Sequence, residues 1–101
     1  MAKYVYTAIF TPDKSGYSVM FPDIDGCFTQ GDSLPDAMEM AQDALELMLY
    51  DIEESGATIP DATRISDVSV PDGSFTTYIS CDTTSYRNKT GDSAPLFAAK
   101  A

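Results

Sequence analysis

Few residues of this 101-residue chain could carry out chemistry, and the first candidates are two carboxylates. Asp23 and Asp25 lie two residues apart in a turn-forming segment, and paired carboxylates can hold divalent cations such as Mg²⁺. A metal-dependent nuclease site needs several converging acids, however, and the predicted strands carry none away from their ends. We interpret the pair either as the negatively charged edge of a loop or as plain turn chemistry.

Imidazole and thiolate chemistry is almost absent from the chain. No His is present, which removes the commonest general base at neutral pH and the commonest zinc ligand. The two cysteines, Cys27 and Cys81, are far apart in sequence, and no neighbouring base or cation is present to lower their pKa. We therefore predict two buried thiols in a reducing compartment, with no catalytic residue, no metal and no cofactor.

Charge is the most prominent feature of the composition. Six Lys+Arg against sixteen Asp+Glu give a net charge of −10 and a sequence pI near 4.1. Because phosphate backbones are bound through Lys and Arg, nucleic acid is disfavoured as a ligand and a basic protein is favoured as a partner. No segment approaches the roughly 20 apolar residues that cross a bilayer, and no signal peptide is evident. These observations predict a cytoplasmic protein with no membrane role.

Residue patterns predict the strands that position these candidates. Several stretches are rich in Tyr, Val, Ile, Phe and Thr and are separated by turn-forming residues, which is typical of antiparallel strands. The predicted strands cover residues 3–10, 17–21, 27–30 and 74–81, with residues 67–70 as a short edge strand. Residues 83–101 are polar and small, and we predict that they form a linker or a disordered tail.

The strongest periodic signal predicts one amphipathic helix. Apolar residues recur at alternating spacings of four and three from Leu34 to Ile52, with Ser33 placed as the N-cap and Gly56 as the stop. One long helix on a mainly antiparallel sheet of three to four strands gives a two-layer α+β domain. The methionines of the helix are interpreted as core filler; they are Met38, Met40 and Met48.

The predicted outer face of the helix is acidic. No Lys or Arg lies between Asp32 and Gly56, so ion pairs within the helix are impossible there. The acids are either a solvated face that aids solubility or a docking face for a basic partner. Glu53 and Glu54 oppose the helix dipole, which favours a role other than helix stability for them. The acids assigned to this face are Asp36, Glu39, Asp43, Glu46, Asp51, Glu53 and Glu54.

The segment Tyr17 to Ser33, with the sequence YSVMFPDIDGCFTQGDS, closely resembles the N-terminal domain of HicB antitoxins. The resemblance covers residues 3–82 and implies a partial ribonuclease H-like fold and the antitoxin role of a type II toxin–antitoxin pair. The implied partner is a HicA-type toxin, a small basic protein that cleaves mRNA until the antitoxin covers its RNA-binding and catalytic surface.

The sequence departs from the family pattern at two places. Asp25 stands where many members have Pro, which adds a charge to the loop. Residues 83–101 are too few for the DNA-binding module that usually follows, so DNA binding and control of the chain's own operon are not carried over from the resemblance. DNA is therefore not expected to bind this chain.

The residues predicted to bind the partner lie in the turn and strand after the hairpin and on the acidic helix. They are Phe21, Pro22, Asp23, Ile24, Asp25, Gly26, Cys27, Thr29, Gln30, Gly31, Glu39, Asp43 and Glu46. Either edge of the sheet could pair with a second copy, which leaves a homodimer or higher oligomer open. Two other functions also stay open: a degenerate ribonuclease H-like enzyme that uses Mg²⁺, and an acidic module that binds another basic protein.

Overall fold

A four-stranded antiparallel sheet carries one long helix on one of its faces. The computed structural model describes residues 3–84, with the strands β1 (Lys3–Asp13), β2 (Gly16–Met20), β3 (Phe28–Gly31) and β4 (Phe75–Asp82) in the order β3-β2-β1-β4. The helix α1 spans Leu34–Ser55, and a short 3-10 turn, Ile65–Asp67, lies in the connection from α1 to β4. This arrangement confirms the predicted two-layer α+β architecture.

β1 is the central strand of this arrangement. It pairs with β2 through a hairpin that brings Asp13 opposite Gly16, and with β4 in a register that places Lys3 opposite Asp82. β3 adds to the outer side of β2, with Phe28 opposite Met20. β3 and β4 are therefore the two edges of the sheet in the described part of the chain.

The predicted edge strand at residues 67–70 is wrong. Residues 64–68 form a 3-10 turn instead of a strand. The N–H of Asp67 donates to the carbonyl of Arg64 at 2.8 Å, and the N–H of Val68 donates to the carbonyl of Ile65 at 3.3 Å. Groups used in such a turn do not join a ladder. The prediction for residues 83–101 lies outside the described residues, apart from Thr83 and Thr84.

The hydrophobic core lies between α1 and one face of the sheet. Alternate residues of a strand point to the same face, so Tyr6, Ala8 and Phe10 of β1 all reach the helix. Leu45 and Leu49 of α1 are fully buried against them. Burial of these apolar side chains is the main force that holds the helix on the sheet.

The ends of α1 agree with the sequence signals. The hydroxyl of Ser33 accepts a hydrogen bond from the N–H of Asp36 at 3.2 Å, and Gly56 takes the left-handed conformation with φ of 77°. Both predicted boundaries of the helix are thus confirmed. Gly31 of β3 is buried beneath the first turn, since a Cβ there would lie 2.4 Å from the backbone N of Ala37. The close approach of helix and strand explains why this position is glycine.

Candidate protein-binding site

The turn between β2 and β3 is fixed by its own backbone and by the core. The N–H of Phe21 donates to the carbonyl of Cys27 at 3.0 Å, and two further backbone bonds join Ile24 to both of these residues. The side chains of all three residues are buried. Although the sequence predicted them as partner-binding residues, Phe21, Ile24 and Cys27 anchor the turn in the core and do not present side chains to a partner.

Asp23 is held by the connection that follows α1. Its Oδ2 accepts a hydrogen bond from the N–H of Thr63 at 2.8 Å, and its Oδ1 accepts one from the hydroxyl of Thr63 at 2.6 Å. Both carboxylate oxygens are thus engaged within the chain, whereas Asp25 is exposed. Within residues 3–84 no group of three or more His, Cys, Asp and Glu is placed to hold a metal ion. The geometry therefore gives no support to a metal-dependent nuclease.

Gly31, also predicted to bind the partner, is buried beneath α1, whereas the other predicted residues of this region form a small accessible surface. Pro22, Asp25 and Gly26 make up the exposed tip of the turn. On β3, Gln30 is exposed and Thr29 is half-buried. The turn therefore offers a partner one carboxylate and a short stretch of backbone.

A larger accessible surface lies on the outward side of α1. Successive helical residues turn by about 100°, and of the residues that this places on the outward side six are exposed; we call these six the acidic face of α1. Among its members Met40 is 40% and Leu47 48% exposed. Met38, on another side of the helix, is also 40% exposed, so the prediction that Met38 and Met40 fill the core is wrong. Apolar side chains within a charged rim are typical of protein-binding surfaces. The acidic face comprises Glu39, Met40, Asp43, Leu47, Asp51 and Glu54.

Glu46 does not lie on this outward side. It is only 5% exposed, and it lies on the flank of α1 beside the β4 edge of the sheet, where it lines a depression together with Ser80 and Cys81. On the same flank, the side-chain amide of Gln42 donates to the carbonyl of Ser80 at 2.8 Å. The predicted outward orientation of Glu46 is therefore wrong, and Glu39 and Asp43 are the predicted helix residues that remain accessible.

Glu53 also turns inward and joins three elements. Its Oε2 accepts hydrogen bonds from the hydroxyl of Tyr4 at 2.7 Å and from the hydroxyl of Thr83 at 3.0 Å. Burial raises the pKa of Glu53 and these hydrogen bonds lower it, and on balance the pKa lies below its usual value. Glu53, which opposes the helix dipole, therefore ties β1 and the end of β4 to α1. Its predicted place on the outer face is wrong.

The two thiols are free and buried, as predicted. Burial raises the pKa of Cys27 to about 11. Burial, with Glu46 as the first of several nearby acids, raises the pKa of Cys81 to about 12. Because the thiolate is the reactive form, neither cysteine is poised for nucleophilic chemistry at neutral pH.

Sequence reasoning missed three partners of these carboxylates: Thr63 for Asp23, and Tyr4 and Thr83 for Glu53. A single sequence contains no signal that pairs Asp23 with a residue 40 positions away, or Glu53 with residues 49 and 30 positions away. Exposure of Leu47 could have been inferred, because it falls outside the apolar periodicity of the helix. In the described part of the chain, no helix combines the length and the apolar character needed to cross a membrane.

The fold and this surface define a class: an acidic two-layer α+β domain with an exposed helix face that combines carboxylates and apolar side chains. The model of one protein family, described as HicB-like antitoxin of bacterial toxin–antitoxin systems, matches residues 6–90. The chain therefore belongs to the HicB-like antitoxin family. The members of this family are antitoxins rather than enzymes.

Individual relatives agree with this assignment. The chain is 50% identical over 40 residues to Antitoxin HicB 2 of Photorhabdus laumondii, a match that covers 40% of this chain and 29% of that protein. The matched part thus spans less than a third of that curated relative. A chain in a toxin–antitoxin complex from Streptococcus pneumoniae has a TM-score of 0.78 at 25% identity, covering 84% of this chain and 73% of that one.

A second solved structure supports the fold. A chain of the HicA3 and HicB3 toxin–antitoxin complex has a TM-score of 0.66 at 22% identity. The match covers 78% of this chain and 99% of that chain. The two-layer domain described here is therefore shared over nearly the whole of the solved chain.

Proposed function

We propose that this chain is an antitoxin that binds and neutralises a HicA-type mRNA endoribonuclease. The observation that carries the proposal is the match of the HicB-like antitoxin family to residues 6–90. The partner class is supported by the complexes in which structural neighbours occur, which are toxin–antitoxin complexes. The location that fits this function is the cytoplasm, where mRNA is cleaved and where free thiols stay reduced.

The acidic face of α1 is the proposed contact with the toxin. An RNA-cleaving toxin must present cations to phosphate, and the carboxylates of Glu39 and Asp43 can occupy the positions that phosphates take. Charges of this kind steer association, whereas the apolar side chains of Met40 and Leu47 lose water on binding and slow release. Antitoxin binding would thus cover the surface that RNA needs.

The tip of the turn between β2 and β3 is the second proposed contact. Asp25 is exposed there, and the backbone bonds of the turn and the pair of bonds from Thr63 to Asp23 hold it in place. A loop that is already ordered loses little conformational entropy on binding. Asp25 therefore adds a fixed negative charge at a second point of contact.

The test is to mix the purified chain with the small basic protein encoded beside it and to measure RNA cleavage together with association and dissociation rates. The double variant Glu39→Lys/Asp43→Lys is expected to slow association about 10-fold or more, because it reverses two steering charges. Leu47→Ser is expected to speed dissociation with little change in association rate.

The matched control is Asp61→Lys/Asp72→Lys, which makes the same change in net charge at exposed sites away from α1. It is expected to slow association much less than the helix variant. An equal effect of the two double variants would overturn the acidic face of α1 as the contact. Uninhibited RNA cleavage in the presence of the unchanged chain would overturn the antitoxin function itself.

A further inference from the structure

A cleft of about 320 Å³ lies between the first turns of α1 and the outer edge of β4. Met38 is accessible in the helix wall of this cleft, at 40% exposure, whereas Ile79 of the strand wall is buried. The side-chain amide of Gln42 spans the two walls, since it donates to the carbonyl of Ser80 at 2.8 Å. We call this surface the β4 cleft, and its lining comprises Pro35, Met38, Glu39, Gln42, Tyr78, Ile79 and Ser80.

The backbone of β4 offers hydrogen-bonding groups along this cleft. In the described part of the chain β4 pairs only with β1, and the bond from Gln42 shows that the carbonyl of Ser80 points away from β1. Because alternate residues of an antiparallel strand bond to the same side, Thr76 and Tyr78 also present their N–H and C=O groups outward. Charged side chains usually block such an edge, and residues 75–81 carry none. The edge can therefore accept a further strand that ends where Gln42 occupies the carbonyl of Ser80.

The charges around the β4 cleft favour a basic occupant. Glu39 lines the cleft and also belongs to the acidic face of α1, so the cleft and that face form one continuous surface. A second depression meets the cleft at Gln42 and continues along β4. Its lining holds two carboxylates, Glu46 and Asp82, against one cation, Lys3. A cationic segment that follows this edge of the sheet therefore gains Coulomb energy along its length.

We propose that the β4 cleft takes an extended basic segment of the partner, which adds to β4 as a fifth strand. The inference rests on the proposed function, because the toxin supplies the segment. Backbone bonds to Thr76 and Tyr78 hold the segment, and every second side chain of it points toward the layer of α1. The residue opposite Ile79 thus enters the cleft. A Lys or Arg at that point lays its apolar stem on Met38 and places its charge beside Glu39.

The direct test is amide hydrogen exchange of the full chain, alone and saturated with the small basic protein encoded beside it, measured residue by residue by NMR. Exchange at Thr76 and Tyr78 is expected to slow about 10-fold or more in the complex, because strand addition turns outward N–H groups into bonded ones. The internal control is the amide of Gln30, which points outward from the β3 edge because Cys27, three residues before it, bonds to Phe21 at the end of β2. Protection of Gln30 in place of Tyr78 would put the added strand on the other edge and overturn the inference.

Two substitutions test the cleft in the same complex. Met38→Trp fills the cleft from an exposed position and is expected to weaken binding about 10-fold or more. Val70→Trp is the matched control, because Val70 is 42% exposed in the connection after α1, and it should bind as the unchanged chain does. Equal affinities of the two variants, or an unprotected Tyr78 in a complex that does form, would overturn the inference and leave the proposed function standing. Absence of any complex with the unchanged chain would overturn both.

Discussion

Asp23 and Asp25 have different roles although they share a residue type and lie two positions apart. The sequence predicts a turn with two acids, and that much is confirmed. It does not predict which carboxylate faces solvent, because the answer depends on Thr63, which lies 40 residues away in the connection that follows α1. Neighbouring residues determine the local turn, whereas the tertiary fold determines which residue becomes the hydrogen-bond partner of Asp23.

At this scale we predict that Thr63→Val lowers the free energy of unfolding by about 1–2 kcal/mol. Valine keeps the shape of threonine and leaves the backbone N–H bond to Asp23, but it removes the hydroxyl that donates to a charged acceptor. Urea denaturation measures the change. The control is Thr58→Val, since Thr58 is exposed. Equal unfolding midpoints for the two variants would contradict the role assigned to Thr63.

At the scale of elements, periodicity and capping predict the helix and the strands, while tertiary contacts decide their orientation. Ser33 and Gly56 fix the ends of α1 through local hydrogen bonds, and the sequence predicts both of these caps. Glu46 is buried and Glu53 is hydrogen-bonded to Tyr4, because both lie on the flank of α1 that contacts the sheet. The local sequence pattern does not predict these tertiary contacts. The partial ribonuclease H-like description stays a prediction from the resemblance.

The bonds that join α1 to β1 predict a particular dependence of stability on pH. The pKa of Glu53 is lower in the folded chain, so its contribution is full above its unfolded value and is lost as the pH falls through the folded value. The hydrogen bond to Glu53, followed by burial and by the charge of Glu53, raises the pKa of Tyr4 to about 12. The contribution of Tyr4 is therefore full below its unfolded value of 10.0 and is lost as the pH rises toward 12.

Free energies of unfolding measured against pH for the unchanged chain, Glu53→Gln and Tyr4→Phe test this assignment. Glu53→Gln should flatten the acidic limb of the profile, and Tyr4→Phe should flatten the alkaline limb. Tyr4→Phe should also cost about 1 kcal/mol at neutral pH, the usual worth of one hydrogen bond. Profiles of both variants that run parallel to that of the unchanged chain would show that the Tyr4–Glu53 bond does not link pH to stability.

At the scale of the whole molecule, charge is distributed very unevenly. Only Lys3, Lys14 and Arg64 provide cations within residues 3–84, whereas every acid of the chain except Asp92 lies there. Arg64 forms an ion pair with Asp67 at 3.7 Å in which both side chains are exposed, and such pairs contribute little. Residues 3–84 therefore hold too few cations to neutralise their carboxylates, and most of these carboxylates repel one another. The sequence alone predicts this repulsion, because it depends on composition rather than on contacts.

This imbalance predicts that salt stabilises the isolated chain. Screening reduces repulsion among the carboxylates more than it weakens the few opposite-charge pairs, so Tm should rise as sodium chloride is added at neutral pH. Asp61→Lys/Asp72→Lys lowers the net negative charge and should show a smaller rise over the same range of salt. Thermal unfolding followed by circular dichroism measures both slopes. A Tm that falls with added salt, or that rises equally for the two proteins, would mean that repulsion among the carboxylates does not limit stability. The excess of acidic residues would then be explained by binding to a basic partner alone.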